Sequence, residues 1–152
     1  MRDLAPEEGR TPRQHWLSIL ARARSSELEA IIAASGGVPA HIVVKPAEVG
    51  TVMVEGRAGG TGVRFNLGEA TVARCVVRIA DVLGVSYALG SDRRRAHLAA
   101  LIDALLQMPG ADPGLHDAIG RLAEQQAAAR DLASRKAATT KVEFFTMVRG
   151  NE

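Results

Sequence analysis

Three arginines carry the pattern in this 152-residue chain that points most directly to chemistry. Arg57, Arg64 and Arg74 are threaded through V-E-G-R-A-G-G-T-G-V-R-F-N-L-G-E-A-T-V-A-R-C, residues 54–75, opposed there by only Glu55 and Glu69. The same stretch holds Gly56, Gly59, Gly60, Gly62 and Gly68, five glycines within thirteen positions. A guanidinium offers paired N–H donors that match phosphate oxygens, and glycine lets a backbone come close to a ligand or to another strand. The chemistry expected is retention of an anion, with Arg57, Arg64 and Arg74 facing a phosphate.

The familiar phosphate loops do not fit. A P-loop needs G-x-x-x-x-G-K-[S/T] at the start of a helix, because the helix N-terminus and the lysine hold the phosphates. Here five residues separate Gly56 from Gly62, and no lysine follows. A dinucleotide fingerprint G-x-G-x-x-G fails as well, since Phe65 stands where the third glycine belongs. The glycines therefore read as a tight hairpin or a bulged strand pair.

Nothing else in the chain assembles a reaction centre, and no catalytic residue is assigned. His15, His41, His97 and His116 are scattered singly, without metal-ligand spacing, and no G-x-S-x-G elbow occurs. His97 reads as a solvated or hydrogen-bonded helix residue. The lone cysteine, Cys75, excludes an internal disulfide, favours a reducing compartment, and sits in an apolar strand pattern as a packed thiol. A net charge of +2 and 3% aromatic residues argue against nucleic acid as a partner. The run Arg93-Arg94-Arg95 then reads as the solvated first turn of a helix. With no apolar run of about 18 residues and no signal-peptide pattern, no membrane span is expected, and a soluble cytoplasmic protein is.

The elements that must position these residues follow from periodicity. Residues 1–10 form a flexible tail, and residues 11–152 are long enough for one core. Thr11-Pro12 starts a helix to about residue 24, with Trp16, Ile19, Leu20 and Ala23 on one stripe. A second helix is expected over 26–34, capped by Ser26 with Glu29, and stops at Gly36-Gly37. Between His41 and Gly90 the period changes to two, with up to five strand-like runs whose short connections favour an antiparallel meander. On the longest run Thr71, Ala73, Cys75, Val77 and Ile79 share one face, while Arg74 and Arg78 project from the other. Asp92 then caps a helix with Leu98, Leu101, Ile102 and Leu105 inward. A long helix over about 113–136 follows, with Leu115, Ile119 and Leu122 inward. Near the end, Val142, Phe144 and Val148 alternate with Phe145 and Met147. A strand that is apolar on both faces needs cover on both. It either enters the sheet or meets a partner, and Phe144, Phe145 and Met147 are the interface candidates. The fold class is α+β: a largely antiparallel sheet with an N-terminal helical hairpin and two later helices packed against it.

The blocks F-N-L-G-E-A-T-V-A-R-C and K-V-E-F-F-T-M-V-R-G, with R-Q-H-W-L-S-I-L-A-R-A and Y-A-L-G-S-D, closely resemble the PhnG family. PhnG proteins belong to the bacterial carbon–phosphorus lyase machinery, and the resemblance covers about residues 11–151. It implies one PhnG-like domain acting in a hetero-oligomer, in two copies, with the PhnH, PhnI, PhnJ and PhnL proteins. The activity implied is synthesis of α-D-ribose 1-methylphosphonate 5-triphosphate from ATP and methylphosphonate, releasing adenine. The iron–sulfur cluster and S-adenosylmethionine implied for the machinery belong to PhnJ, and no cofactor or metal is expected on this chain. The glycine-rich stretch Ala34–Pro39 departs from the family pattern, in a loop. The competing reading is a stand-alone phosphate- or nucleotide-binding protein built on the arginine- and glycine-rich segment.

Overall fold

A computed structural model describes residues 9–139. Most of the tail expected over 1–10, and the strand expected over Val142–Val148 with Phe144, Phe145 and Met147, lie outside the described residues. The elements run α1 (Pro12–Leu20), α2 (Ser25–Ala34), β1 (Ile42–Arg57), a short 3-10 turn (Ala58–Gly60), β2 (Arg64–Ile79), β3 (Val82–Leu89), α3 (Arg93–Gln107) and α4 (Pro113–Thr139).

Local chemistry sets the helix ends. The Thr11 side chain accepts from the Gln14 N–H, and the Gln14 side chain accepts from the Thr11 N–H at 2.9 Å, closing a capping box before Pro12. The first helix is shorter than its apolar stripe suggests. The N–H groups of Arg22 and Ala23 bond to the carbonyls of Ile19 and Leu20, tightening the chain and burying Ala23. The second helix starts one residue before the expected Ser26. Its first turn is closed by Glu27, which accepts from the Arg24 backbone N–H at 2.8 Å and also pairs with the Arg24 guanidinium. Asp92 caps α3 as expected, accepting from the Arg95 N–H at 2.9 Å.

The five strand-like runs become three strands, in the order β1-β2-β3 and antiparallel throughout. Pro46 and Gly50 lie inside β1, and Gly68 lies inside β2; none ends its strand. The ladder absorbs the break-forming residues as irregularities between Val43 and Lys45, Lys45 and Glu48, and Val54 and Glu55. A proline, with no N–H to donate, is tolerated here because β1 is an edge strand among the described residues.

The central helix α3 lies against one sheet face; α2 packs on α3, α1 packs on both α3 and β3, and α4 packs on α1. Ala73, Cys75, Val77 and Ile79 of β2 meet it, so the expected buried face of that strand is the observed one. Ala96, Ala99, Ala100 and Ala104 keep α3 thin on the side where the sheet comes closest. Leu20, Leu28, Leu101 and Ile102 fill the space between the helices. Burying each such side chain contributes roughly 1.5–3 kcal/mol. The opposite sheet face carries exposed Leu83, Tyr87 and Leu89.

The β1–β2 pair does not stop where β3 stops. β3 ends at Leu89, opposite Val72, whereas β1 and β2 stay paired to Arg57 and Arg64. Residues 51–57 and 64–71 therefore form a two-stranded arm reaching roughly 26 Å past the body at about 3.3 Å per residue. Its tip is turned by Ala58–Gly60, with Gly59 at φ +59°, and the Gly62 N–H donates to the Ala58 carbonyl at 2.8 Å.

Candidate functional site

The arm brings two of the three candidate arginines together and leaves the third behind. Arg57 and Arg64 are direct cross-strand partners at the tip. With Glu55 and Gly56 they line a shallow hollow of about 340 Å³. One Arg64 nitrogen lies 3.8 Å from Glu55, and Arg57 Nη1 donates to the Gly62 carbonyl at 3.5 Å. Both guanidinium groups stay open to solvent. Two like charges placed opposite one another on a ribbon oppose its pairing, so the hollow favours an anion. Arg74, ten residues further along β2, is roughly 33 Å away along the strand. There it is opposite Glu48, with Arg74 Nε 2.6 Å from Glu48 Oε1, while Lys45 Nζ lies 2.9 Å from the same oxygen. The hydrogen bonds from Lys45 and Arg74 hold the Glu48 carboxyl below its usual range, and Glu48 in turn raises the Arg74 guanidinium. In this fold one phosphate cannot span Arg57, Arg64 and Arg74.

The arginines that open α3 divide between the fold and solvent. Arg94 pairs with Glu29 of α2, and Arg95 donates to the Leu89 carbonyl at the end of β3. Asp92 also receives the Ser25 hydroxyl at 2.5 Å, so this helix start is fastened to the start of α2. The Ser25 hydroxyl and the Arg95 N–H hold the Asp92 carboxyl below its usual value.

Two clusters escaped the reading of single residues. The first gathers His41, His97 and Cys75. The two imidazoles lie 5.1 Å apart between ring centres with their planes tilted by 54°, and the Cys75 sulfur lies 3.8 Å from His97 Nδ1. The Cys75 thiol donates to the Lys45 carbonyl at 3.4 Å, and burial pushes it up, so it is held as a neutral packed thiol rather than a nucleophile. Among the described residues no group of three or more His, Cys, Asp or Glu side chains is arranged to hold a metal ion. Spacings of 34 and 22 residues carry no local signal for such a cluster.

The second cluster surrounds Asp103, which is 0% exposed. Its carboxylate accepts from Arg13 Nη2 at 2.8 Å, Trp16 Nε1 at 2.8 Å, the Val85 N–H at 2.9 Å and Gln107 Nε2 at 3.1 Å. It thereby ties α1, β3 and α3 together. A signal was present in the sequence: Asp103 falls at i+3 and i+4 from Ala100 and Ala99, inside an otherwise apolar stripe.

Burial, and then the neighbouring His41, lower the His97 pKa. The unfolded chain takes up that proton more readily than the folded one, so the contribution is complete above the unfolded value and is lost as pH falls through the folded one. The urea midpoint is therefore expected to fall between pH about 7 and about 5. In His97→Phe the fall should be smaller. An equal fall in both proteins would remove His97 as its source.

No helix among the described residues is long and apolar enough to cross a membrane. The profile of the family described as phosphonate metabolism protein PhnG matches residues 11–150. A curated relative from Rhizobium meliloti (strain 1021) is 41% identical to this chain over 152 residues, covering 96% of this chain and 94% of the relative. That relative is named alpha-D-ribose 1-methylphosphonate 5-triphosphate synthase subunit PhnG.

Proposed function

Because the chain belongs to the PhnG family of phosphonate metabolism proteins, we propose that it is the PhnG subunit of an α-D-ribose 1-methylphosphonate 5-triphosphate synthase. The observation that carries this reading is identity running nearly end to end with a relative of that name. In the reaction, a methylphosphonate oxygen bonds to the ribose C1 of ATP while the bond from C1 to adenine breaks, and adenine leaves. The chain acts as one subunit of a multi-subunit transferase in the cytoplasm, with PhnH, PhnI, PhnJ and PhnL as partners and two copies per assembly. It binds no cofactor of its own; ATP is a substrate of the assembly, and iron–sulfur chemistry with S-adenosylmethionine belongs to PhnJ.

Within that assembly the tip of the arm is the part of this chain placed to meet phosphate. Arg57 and Arg64 stand opposite each other on exposed backbone, with Glu55 as the one nearby acid. A triphosphate or phosphonate between them relieves their mutual repulsion. Arg74, already engaged by Glu48, is assigned to the sheet. The test is growth on methylphosphonate as sole phosphorus source, in a strain lacking its own copy of the gene, with co-purification of the assembly in parallel. The parent chain should restore growth and co-purify with the other subunits. Arg64→Glu should abolish growth while the assembly still forms, and Arg74→Gln should leave growth nearly unchanged. Growth unchanged in Arg64→Glu, or loss of assembly in its place, would make Arg64 a structural residue. Failure of the parent chain to restore growth would overturn the subunit assignment itself.

A further inference from the structure

The arm is a structural liability as it stands. A two-stranded ribbon is marginal in water without a third strand or an apolar cover. This one exposes Met53 (56%), Phe65 (48%) and Leu67 (61%). The Leu67 side chain lies over Gly56, on the side that Val54 also faces, while Met53 faces the other side. One surface of the ribbon, with Val54, Phe65 and Leu67, is thus apolar, and the other carries Met53 beside the polar Glu55, Arg57, Arg64 and Glu69. Beyond Leu89, where β3 ends, the outer edge of β2 has no strand beside it among the described residues. Residues 64–70 present there the alternate N–H and C=O groups that a further strand would take up, whereas the Thr71 carbonyl already accepts from the Gly90 N–H at 2.8 Å.

The helices indicate where cover comes from. Arg13 donates to the Leu83 carbonyl, and Leu17, Leu20 and Ala21 lie beside Val85, Ser86 and Tyr87, so α1 runs along β3 in the same direction. Trp16 meets His116, and further on Gln126 meets Arg22 and the Ile19 carbonyl, so α4 runs with α1. Past Gln126, the helix therefore leaves the body in the direction of the arm, on the β3 flank where the free edge of β2 lies. The remaining residues to Thr139 extend it by roughly 20 Å. Residues 140–152 begin from that point. Thirteen residues reach at most about 43 Å, enough to cross from the helix layer and return along the arm. They include V-E-F-F-T-M-V, apolar at alternate positions on both sides.

We propose that residues 140–152 of the same chain cover the arm, adding a strand to the free edge of β2 beside residues 64–70. This sets an apolar segment beside a ribbon that exposes Phe65 and Leu67 on one face and Met53 on the other, and it does not depend on the reaction proposed above. Backbone hydrogen bonds supply the pairing and the alternate side chains supply the fit.

Hydrogen exchange on the full chain tests it, read at the amides of residues 64–70 that face away from β1. They should exchange about tenfold or more slowly in the full chain than in a chain ending at Thr139, at every protein concentration. Phe145→Asp in the full-length chain should lose the same protection, which keeps the test valid should the shortened chain fail to fold. Equal exchange in the full and altered chains would overturn the proposal. So would protection that vanishes on dilution of a dimer, which would make a second copy the occupant. Protection that arises only on adding the other subunits would overturn it in favour of a partner's strand.

Discussion

Replacing Asp103 with alanine is expected to destabilise the protein by about 2–6 kcal/mol, the cost of leaving two donors without their acceptor. The carboxylate is fully buried and is the common acceptor for Arg13, Trp16, Val85 and Gln107. Removing it leaves the Val85 N–H and the Trp16 indole without an acceptor, and each unsatisfied buried donor costs about 1–3 kcal/mol. Arg13 is half exposed and returns to water, so its share of the loss is the smaller one. Asp103→Asn keeps the volume and one carbonyl acceptor and should fall between alanine and the parent. Trp16 is the chain's one tryptophan, so its fluorescence reports both the urea midpoint and the local loss of packing. A shift below about 1 kcal/mol for alanine would mean that the three elements are held by apolar packing alone.

The second large effect is steric. Gly84 lies where β3 passes closest to α3, opposite Val77 in the ladder. A Cβ at that position would lie 2.0 Å from the Ala100 carbonyl oxygen and 2.8 Å from both the nitrogen and the Cβ of Ala104. Two of those three atoms are helix backbone, so no rotamer change relieves the contact. Helix α3 would have to lift off the sheet, opening the layer that buries Ala73, Cys75 and Val77. Gly84→Ala is expected to cost about 3 kcal/mol, the upper end for overpacking, and Gly84→Val should leave little folded protein. Gly50→Ala is the control. It too is a strand glycine, but a Cβ there meets nothing within 4 Å, so its urea midpoint should stay within about 0.5 kcal/mol of the parent. Matching losses at Gly50 and Gly84 would show that strand propensity, not the approach of α3, sets the requirement for glycine.

Local patterns made much of this architecture legible. The Thr11-Pro12 and Asp92 caps, the antiparallel pairing and the alternation that buries Ala73, Cys75, Val77 and Ile79 were all readable in the sequence. So were the inward faces of Leu98, Leu101 and Ile102 and of Leu115, Ile119 and Leu122. Each depends on residues a few positions apart, where helix and strand periods act directly. Strand boundaries were less legible. Pro46, Gly50 and Gly68 have local preferences that argue for breaks, and long-range pairing outweighed them.

By itself the sequence determined the α+β class, the helix and strand faces and membership of the PhnG family, because all three are written in short-range periodicity and contiguous blocks. The tertiary structure alone decided which charged groups stand together. Strand register set Arg57 against Arg64 at the end of an exposed arm and gave Arg74 to Glu48 on the body. The packing of helix on helix and helix on sheet brought Arg13 to Asp103 and His97 to Cys75. Apart from Arg57 and Arg64, which meet across the turn of the arm, those meetings join residues 22 to 90 positions apart. No local period encodes them, because they exist only once the layers have closed on one another.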